Sequence, residues 1–245
     1  MSTYKPLQLG IPVQLKQDVI YSEFYPRTES PVYCFWSLET RALLKDDFRY
    51  LVLPDACVDI VFDVSHIPAF EGALIMTPDV TASTLTLGRS FQYVGVRLLP
   101  GTWQRPLHDV VGHALEANAL MNYDFRRTRQ QLLAAMPDER ASILNDMVVS
   151  LERCGLIGAT PLPSNALAYQ TVEEYTRLWS VSRRHTQRLF QRRFGYAPHD
   201  FIKIIRFQRS LRQGSFEAYA DQPHYSREFK RITNLTPREF QATYR

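Results

Sequence analysis

Apolar residues recur at every second position through parts of the first hundred residues. Val58, Ile60 and Phe62 follow this period of two, which predicts a β-strand with one buried face. Stretches rich in aromatic and β-branched residues extend the prediction to strands at 31–39, 48–54, 57–64, 73–76, 83–87 and 91–99. Short strands at this spacing are typical of antiparallel sandwiches and barrels. The pattern therefore predicts an antiparallel β region on the N-terminal side of the chain.

Beyond the predicted strands the apolar period lengthens to that of a helix. Ile143, Met147 and Leu151 step by four residues, and Asp124 is a candidate N-cap for a preceding helix. We interpret the pattern of 103–154 as helical, with Pro137 and Asp138 ending one helix and starting the next.

The C-terminal third carries further helix signatures, in which Ser, Thr or Asp precedes a periodic segment and Gly follows it. They predict helices from Thr171 to Trp179, from Ser182 to Gly195, from Pro198 to Gly214, from about Asp221 onward and from Thr236 onward. Two prolines, a glycine and a serine in 158–166 predict a linker before these helices.

Charge is distributed unevenly along the 245 residues. Residues 161–245 contain 15 Lys and Arg but 7 Asp and Glu, whereas residues 1–160 contain 14 and 18. A basic segment joined to a mildly acidic one favours a polyanion-binding module attached to a second domain. The alternative is a solvated basic face that has no partner.

The composition excludes several other classes of protein. No apolar run approaches the ~20 residues that span a bilayer, and the first twenty residues lack a secretory signal, so we expect a cytoplasmic protein without membrane contact. The three cysteines form no CxxC pair. P-loop, GxGxxG, GxSxG and HExxH motifs are absent, and His66, His108 and His113 lack the spacing of metal ligands. We therefore expect neither an enzyme nor a cofactor or metal site.

The segment 182–194 concentrates hydrogen-bond donors on one helical stripe. Arg184, Gln187 and Arg188 lie on this stripe, opposite an apolar one, and no acidic residue occurs from Trp179 to Pro198. Arg recognises guanine and Gln recognises adenine in the major groove. The stripe therefore favours a DNA recognition helix over an ordinary solvated helix face, which usually includes acidic residues.

The C-terminal third resembles the DNA-binding domain of the AraC/XylS family of bacterial transcription regulators. Two segments carry the resemblance, SVSRRHTQRLFQRRFGYAPHDFIKIIRFQRSL (180–211) and YADQPHYSREFKRITNLTPREFQ (219–241). The resemblance implies two helix-turn-helix units joined by a long helix at about 198–212. It implies base-reading positions at Arg184, Gln187 and Arg188 in the first unit and at Gln222, His224 and Arg227 in the second. We expect phosphate contacts from Arg183, Arg192, Arg193, Lys203, Arg206, Lys230 and Arg231.

The second unit departs from the family in its length. Nine residues, 213–221, must end the linker helix, form a supporting helix and make a turn, and this length is too short for all three. The supporting helix is therefore expected to be missing or reduced to about 215–219. Asn234 stands where the family usually has Gly, and Thr186 where it usually has a large apolar residue.

The N-terminal region resembles, more weakly, a sensor-like domain of such regulators that has a reduced cupin-type barrel. FWSLE (35–39), VLPDACVDIVFD (52–63) and VGVRLLPG (94–101) carry this resemblance. It implies a small-molecule pocket, for which we select the aromatic residues Phe35, Trp36, Phe62 and Tyr93; the alternative is that they are core. Asp59 and Asp63 share one strand face, which is either a pocket wall or the solvent-exposed face.

These observations predict an α+β protein with two helix-turn-helix units. Residues 1–101 would form a β-rich sensor or dimerisation domain, 102–157 a helical connector packed on it, 158–166 a linker and 167–245 the DNA-binding domain. The predicted function is a transcription regulator that binds double-stranded DNA mainly through 182–194. A small-molecule effector, RNA polymerase or another regulator, and a second copy of the chain are candidate further partners. The alternative is a regulator that acts by protein–protein interaction because its second unit is truncated.

Overall fold

A computed structural model of the chain describes residues 4–28, 30–105, 114–116 (backbone only), 123–162 and 169–245. The strands in these ranges are β1 Val19–Phe24, β2 Val32–Thr40, β3 Arg49–Val52, β4 Val58–Asp63, β5 Leu74–Met76, β6 Ser83–Thr86, β7 Gln92–Leu98 and β8 Ala114–Glu116. The helices are α1 Phe125–Ala134, α2 Arg140–Arg153, α3 Val172–Leu178, α4 Arg183–Phe194, α5 Pro198–Gln213, α6 Gln222–Thr233 and α7 Pro237–Tyr244. The α+β class, with an antiparallel sheet followed by a helical C-terminal region, is confirmed.

Two antiparallel sheets make up the N-terminal region. One has six strands in the order β1-β2-β7-β4-β5-β8, and the other pairs β3 with β6. All six predicted strands are present. The helical interpretation of 103–154 is confirmed for α1 and α2 and is wrong for Ala114–Glu116, which pairs with β5, and for Trp103, which forms a bridge with Ile157. Pairing with distant strands decides the conformation of such short segments, and their local pattern does not. The edge strand β1 was missed for the same reason.

The two faces of the large sheet are covered by different elements. Val58, Ile60 and Phe62 point to the face on which α1 and α2 pack, and this sheet–helix core includes Leu132 and Met147. On the opposite face, a second core contains the aromatic residues Trp36, Phe48, Tyr50, Phe91 and Tyr93. We call it the aromatic core.

Strand β3 lies between the aromatic core and the C-terminal helices, with side chains on both of its faces. Tyr50 belongs to the aromatic core. Leu51 and Leu53 belong instead to a third cluster, here named the seam cluster, formed with helices α5, α6 and α7. The alternation of side chains along a strand therefore makes β3 a shared layer between the two halves of the chain.

The predicted C-terminal helices and their caps are confirmed. The side chains of Ser182 and Asp221 accept hydrogen bonds from the backbone N–H groups of His185 and His224, as N-caps of α4 and α6. Helix α6 ends at Asn234, which adopts the left-handed conformation with φ 61°. The predicted linker 158–166 lies partly outside the described residues, as do His108 and His113.

The second unit has no supporting helix. Residues 214–221 contain bends and a turn, in which the N–H of Tyr219 donates to the carbonyl of Phe216. The expected shortening is confirmed, and the reduction to a small helix at 215–219 does not occur. Helix α6 therefore follows α5 with no intervening helix.

Gly95 in β7 gives a direct test of how closely the sheet is packed. A Cβ atom at this position would lie 2.5 Å from a ring carbon of Trp36 and 2.8 Å from the carbonyl oxygen of Ile60. We expect Gly95→Ala to lower the free energy of unfolding by about 1–3 kcal/mol, measured by urea denaturation. Gly158→Ala is the control, because its nearest neighbour is the movable side-chain amide of Gln104. Equal losses in the two variants would contradict the packing described.

Candidate nucleic-acid interface

Helix α4 is packed against α3 and α5 on one side and exposed on the other. Its inner residues Phe190 and Phe194 are fully buried, and the Phe190 ring meets that of Tyr175 in α3 edge-on at 5.1 Å between centroids. The turn between the helices contains Ser180, whose φ is 51°. The arrangement is a helix-turn-helix whose second helix has one free face.

Thr186 occupies the middle of the contact between α3 and α4. It is buried, and its hydroxyl lies 3.2 Å from that of Thr176 and 3.3 Å from the carbonyl oxygen of Ser182. Thr176 donates in turn to the carbonyl of Val172 at 2.9 Å. A hydrogen-bonded threonine pair thus holds the two helices together at this position.

The exposed face of α4 carries the predicted base-reading residues. Arg184, Gln187 and Arg188 are all exposed and lie on one side of the helix. Their spacing of three and four residues places them on adjacent turns. The structure therefore brings these three side chains together on a convex helical surface.

The exposed face of α6 carries two of the three residues predicted for the second unit. Gln222 and Arg227 are exposed. His224 is half-buried, and its ring meets the Tyr219 ring edge-on at 5.6 Å. Because the Tyr219 ring covers one side of this imidazole, His224 is less accessible to a DNA base than Gln222 and Arg227 are.

Most of the predicted phosphate-binding residues have partners within the chain. Arg192 and Lys230 are exposed. Arg183 pairs with Glu173 at 3.6 Å, Lys203 with Asp200 at 3.5 Å and Arg231 with Glu228 at 3.0 Å, while the Arg206 guanidinium lies 5.8 Å from the centre of the Tyr219 ring. Ion pairs that remain accessible to solvent contribute little to stability, so the three pairs can exchange for phosphate. Arg193 differs, because it donates to the side chain of Gln104 in the N-terminal half.

The four aromatic residues selected as a ligand pocket are not brought together. Phe35 and Phe62 belong to the sheet–helix core, whereas Trp36 and Tyr93 belong to the aromatic core on the other face. Neighbouring residues of a strand point to opposite faces, which separates Phe35 from Trp36. Composition alone could not assign these side chains to a face, and all four are buried in cores.

A buried arginine that was missed from the sequence organises the side of the sheet that bears the aromatic core. The guanidinium of Arg97 lies 3.2 Å from carboxylate oxygens of both Asp55 and Asp59, and it donates to the Tyr21 hydroxyl at 3.3 Å. Trp36 donates to Asp59 at 2.7 Å. Burial raises the pKa of the Asp59 carboxyl to about 6, although the Arg97 guanidinium opposes that rise. An arginine between apolar residues of a predicted strand was the available signal.

The strand face that carries Asp59 and Asp63 is therefore not a solvent-exposed face. Asp59 contacts Arg97, and the buried Asp63 accepts hydrogen bonds from the N–H groups of Ser65 and Ala69 at 2.9 and 2.6 Å. Each carboxylate has partners within the protein, which explains why it can be placed on an interior face.

The loop after β3 connects this charged cluster to the C-terminal helices. Gln208 of α5 is buried; its side-chain amide donates to the carbonyl of Pro54 at 2.9 Å, and its oxygen accepts from the N–H of Leu7 at 2.8 Å. The neighbouring Asp55 binds Arg97 in the sheet. Two residues of one loop therefore anchor α5 and the sheet to each other.

Comparisons with known proteins give a family of unknown function and distant structural likenesses. A family model described as a domain of unknown function (DUF6597) matches residues 26–115, and no curated protein matches. The chain is similar to wild-type ToxT from Vibrio cholerae with a bound unsaturated fatty acid, at 11% identity and a TM-score of 0.40 over 91% of this chain and 93% of that one. Two other ToxT structures from Vibrio cholerae match at 10% and 12% identity, with TM-scores of 0.40 and 0.39, over 91% of this chain and 97% and 95% of theirs.

The described residues contain neither a helix suited to a membrane nor a cluster of metal ligands. No helix there is both long enough and apolar enough to cross a bilayer. Nor does that part of the chain contain a group of three or more His, Cys, Asp or Glu side chains arranged to hold a metal ion.

Replacing Arg97 tests the charged cluster through its pH dependence. Arg97→Met leaves Asp55 and Asp59 buried without their cation, and we expect a loss of about 3–5 kcal/mol of unfolding free energy at neutral pH. The loss should shrink towards about pH 5, because removing Arg97, which opposes the rise in the Asp59 pKa, lets folded Asp59 take up a proton at a higher pH in the variant than in the wild type. Urea denaturation at about pH 7.5 and about pH 5 measures both values. Arg153→Met, at an exposed position of α2, is the control, and a pH-independent loss in Arg97→Met would contradict the assignment.

Proposed function

We propose that the chain is a sequence-specific DNA-binding transcription regulator of the AraC/XylS type, which contacts DNA mainly through α4. The observation that carries this proposal is the free face of α4, where Arg184, Gln187 and Arg188 are exposed side by side above a well-packed helix-turn-helix core. No acidic residue occurs from Trp179 to Pro198 to oppose a polyanion. A rigid helix that presents Arg and Gln matches the donor and acceptor pattern of the major groove.

The second unit extends the proposed interface. Helix α6 has an N-cap, an apolar inner face and an exposed face with Gln222 and Arg227, as α4 does. Two recognition helices on one chain would contact two successive major grooves. Double-stranded DNA is the proposed partner, with no cofactor, no enzymatic activity and a cytoplasmic location.

A regulator that acts by protein–protein interaction is the second candidate function. The absence of a helix in 214–221 favours it, because a recognition helix normally rests on a supporting helix of its own unit. The two candidates predict different DNA footprints, since one working unit protects about half the length that two protect.

Selection from a random duplex library with the full-length protein, at ~150 mM salt, tests the proposal directly. An enriched two-part motif spaced by about one helical turn supports DNA recognition by both units. Enrichment of a single half supports recognition through α4 alone. A failure to enrich any sequence would contradict the DNA-binding proposal and favour protein–protein interaction.

Arg184→Ala tests the assignment of base contacts. We expect this variant to lose about 1–3 kcal/mol of binding free energy for the selected sequence and to discriminate less at one base position, because a bidentate contact to guanine is removed. Fluorescence anisotropy with the selected duplex and with single-base variants measures both effects. Arg153→Ala is the control on a distant helix, and unchanged discrimination by Arg184→Ala would contradict the assignment.

Arg192→Ala tests the assignment of phosphate contacts. The exposed Arg192 is expected to neutralise one phosphate, so its loss should weaken binding to all sequences by a similar factor. The slope of log affinity against log salt concentration should fall in magnitude by about 1. A titration of the selected duplex and an unrelated duplex at several salt concentrations gives this slope. A change in sequence preference would show that Arg192 contacts a base instead.

A further inference from the structure

Helix α6 is held in place without a supporting helix from its own unit. Residues 214–221 contribute a turn and the N-cap Asp221, and no helix packs on α6 from this segment. The inner face of α6 is nevertheless buried, with Phe229 and Ile232 1% and 2% exposed. Another part of the chain must therefore cover this face.

The cover comes partly from the C-terminal helices and partly from the N-terminal sheet. Phe207 of α5 and Phe240 of α7 meet the Phe229 ring, both at 5.4 Å between centroids. The remaining side of the seam cluster is formed by two leucines. Leu51 lies in β3, and Leu53 is the first residue after that strand. Leu53 is 1% exposed. Further apolar residues pack at its margin, namely Leu7, Leu9 and Ala82.

A backbone hydrogen bond fixes the C-terminal end of α6 to the same sheet. The N–H of Ala82, directly before β6, donates to the carbonyl of Ile232 at 2.7 Å. The last four carbonyl groups of a helix have no partner within the helix. Ala82 thus satisfies one of these groups, and Leu51 and Leu53 share a cluster with the apolar face of the same helix.

The first unit has a supporting helix of its own. Its recognition helix α4 packs on its own supporting helix α3, through Phe190 and Tyr175 and through the pair of Thr176 and Thr186. The contrast between the units isolates the role of the sheet.

We propose that β3, with Leu51, Leu53 and the N–H of Ala82, takes the structural place of the missing supporting helix and positions α6 for DNA. This inference rests on the DNA-binding function proposed above. Leu51 and Leu53 are positioning residues, since they act through α6 and do not themselves reach its exposed face. The N-terminal sheet is then an integral part of the second DNA-binding unit.

The test compares two leucine truncations in the full-length protein. Leu53→Ala removes a contact of the seam cluster, and Leu98→Ala removes a similarly buried leucine from the sheet–helix core, which contains no residue of α6. Footprints on the selected two-part duplex are recorded below the unfolding midpoint of each variant. We expect Leu53→Ala to lose protection over the α6 half and to bind the two-part duplex about tenfold more weakly, with unchanged affinity for the α4 half alone. Leu98→Ala should protect both halves.

Two further variants keep the test decisive. Leu53→Val, a smaller truncation, should show the same split if Leu53→Ala does not fold, and Leu53→Met should restore the full footprint because it keeps the volume. A full footprint for both truncations of Leu53, or equal loss of both halves in Leu53→Ala and Leu98→Ala, would overturn the inference. A wild-type footprint that covers the α4 half alone would also overturn it and leave the proposed function standing. No footprint for the wild type would instead overturn the proposed function.

Discussion

The packing of residues 51–57 against helix α5 is the interaction on which the arrangement of the whole molecule depends. Leu51 and Leu53 enter the seam cluster, the carbonyl of Pro54 accepts a hydrogen bond from Gln208, and Ala56 lies in a cluster with residues of α4 and α5. This short segment therefore touches both recognition units as it runs along the helix that joins them. Displacing the segment would open apolar contacts in both units and would take from the buried Gln208 amide its hydrogen bond to the Pro54 carbonyl, which costs more than breaking a surface contact.

The segment is held from its other side by charge. Asp55 binds Arg97 in the middle of the large sheet, and its other carboxylate oxygen accepts the N–H of Cys57 at 3.0 Å. Such a buried pair does not add much stability compared with apolar residues of the same size, but removing one partner is strongly destabilising. The pair therefore fixes the location of the loop more than it strengthens the fold. Ala56 adopts a positive φ of 62° between these anchors, a conformation that non-glycine residues adopt where the surroundings enforce it.

Local signals determined what could be predicted from the sequence. The helices of the C-terminal third were predicted with their caps, because Ser182 or Asp221 needs only its own following residues to form a cap. The strands β1 and β8 and the Arg97 cluster were missed, since each depends on residues that are distant in the chain. Assigning Phe35 and Trp36 to one pocket failed for a related reason. Which face of a strand is interior is decided by tertiary packing, and here both faces are.

The shortened second unit shows how a local loss is compensated by a distant contact. An isolated helix of the length of α6 is marginal in water, so its stability comes from whatever covers its apolar face. In the first unit that cover is a neighbouring helix in sequence; in the second it includes a strand more than one hundred residues earlier. The opposite face of the same strand carries Tyr50 in the aromatic core, next to the sheet that Arg97 organises. A substitution in the aromatic core that displaced β3 would therefore also displace the contacts of α6, whereas α4 would still pack on α3.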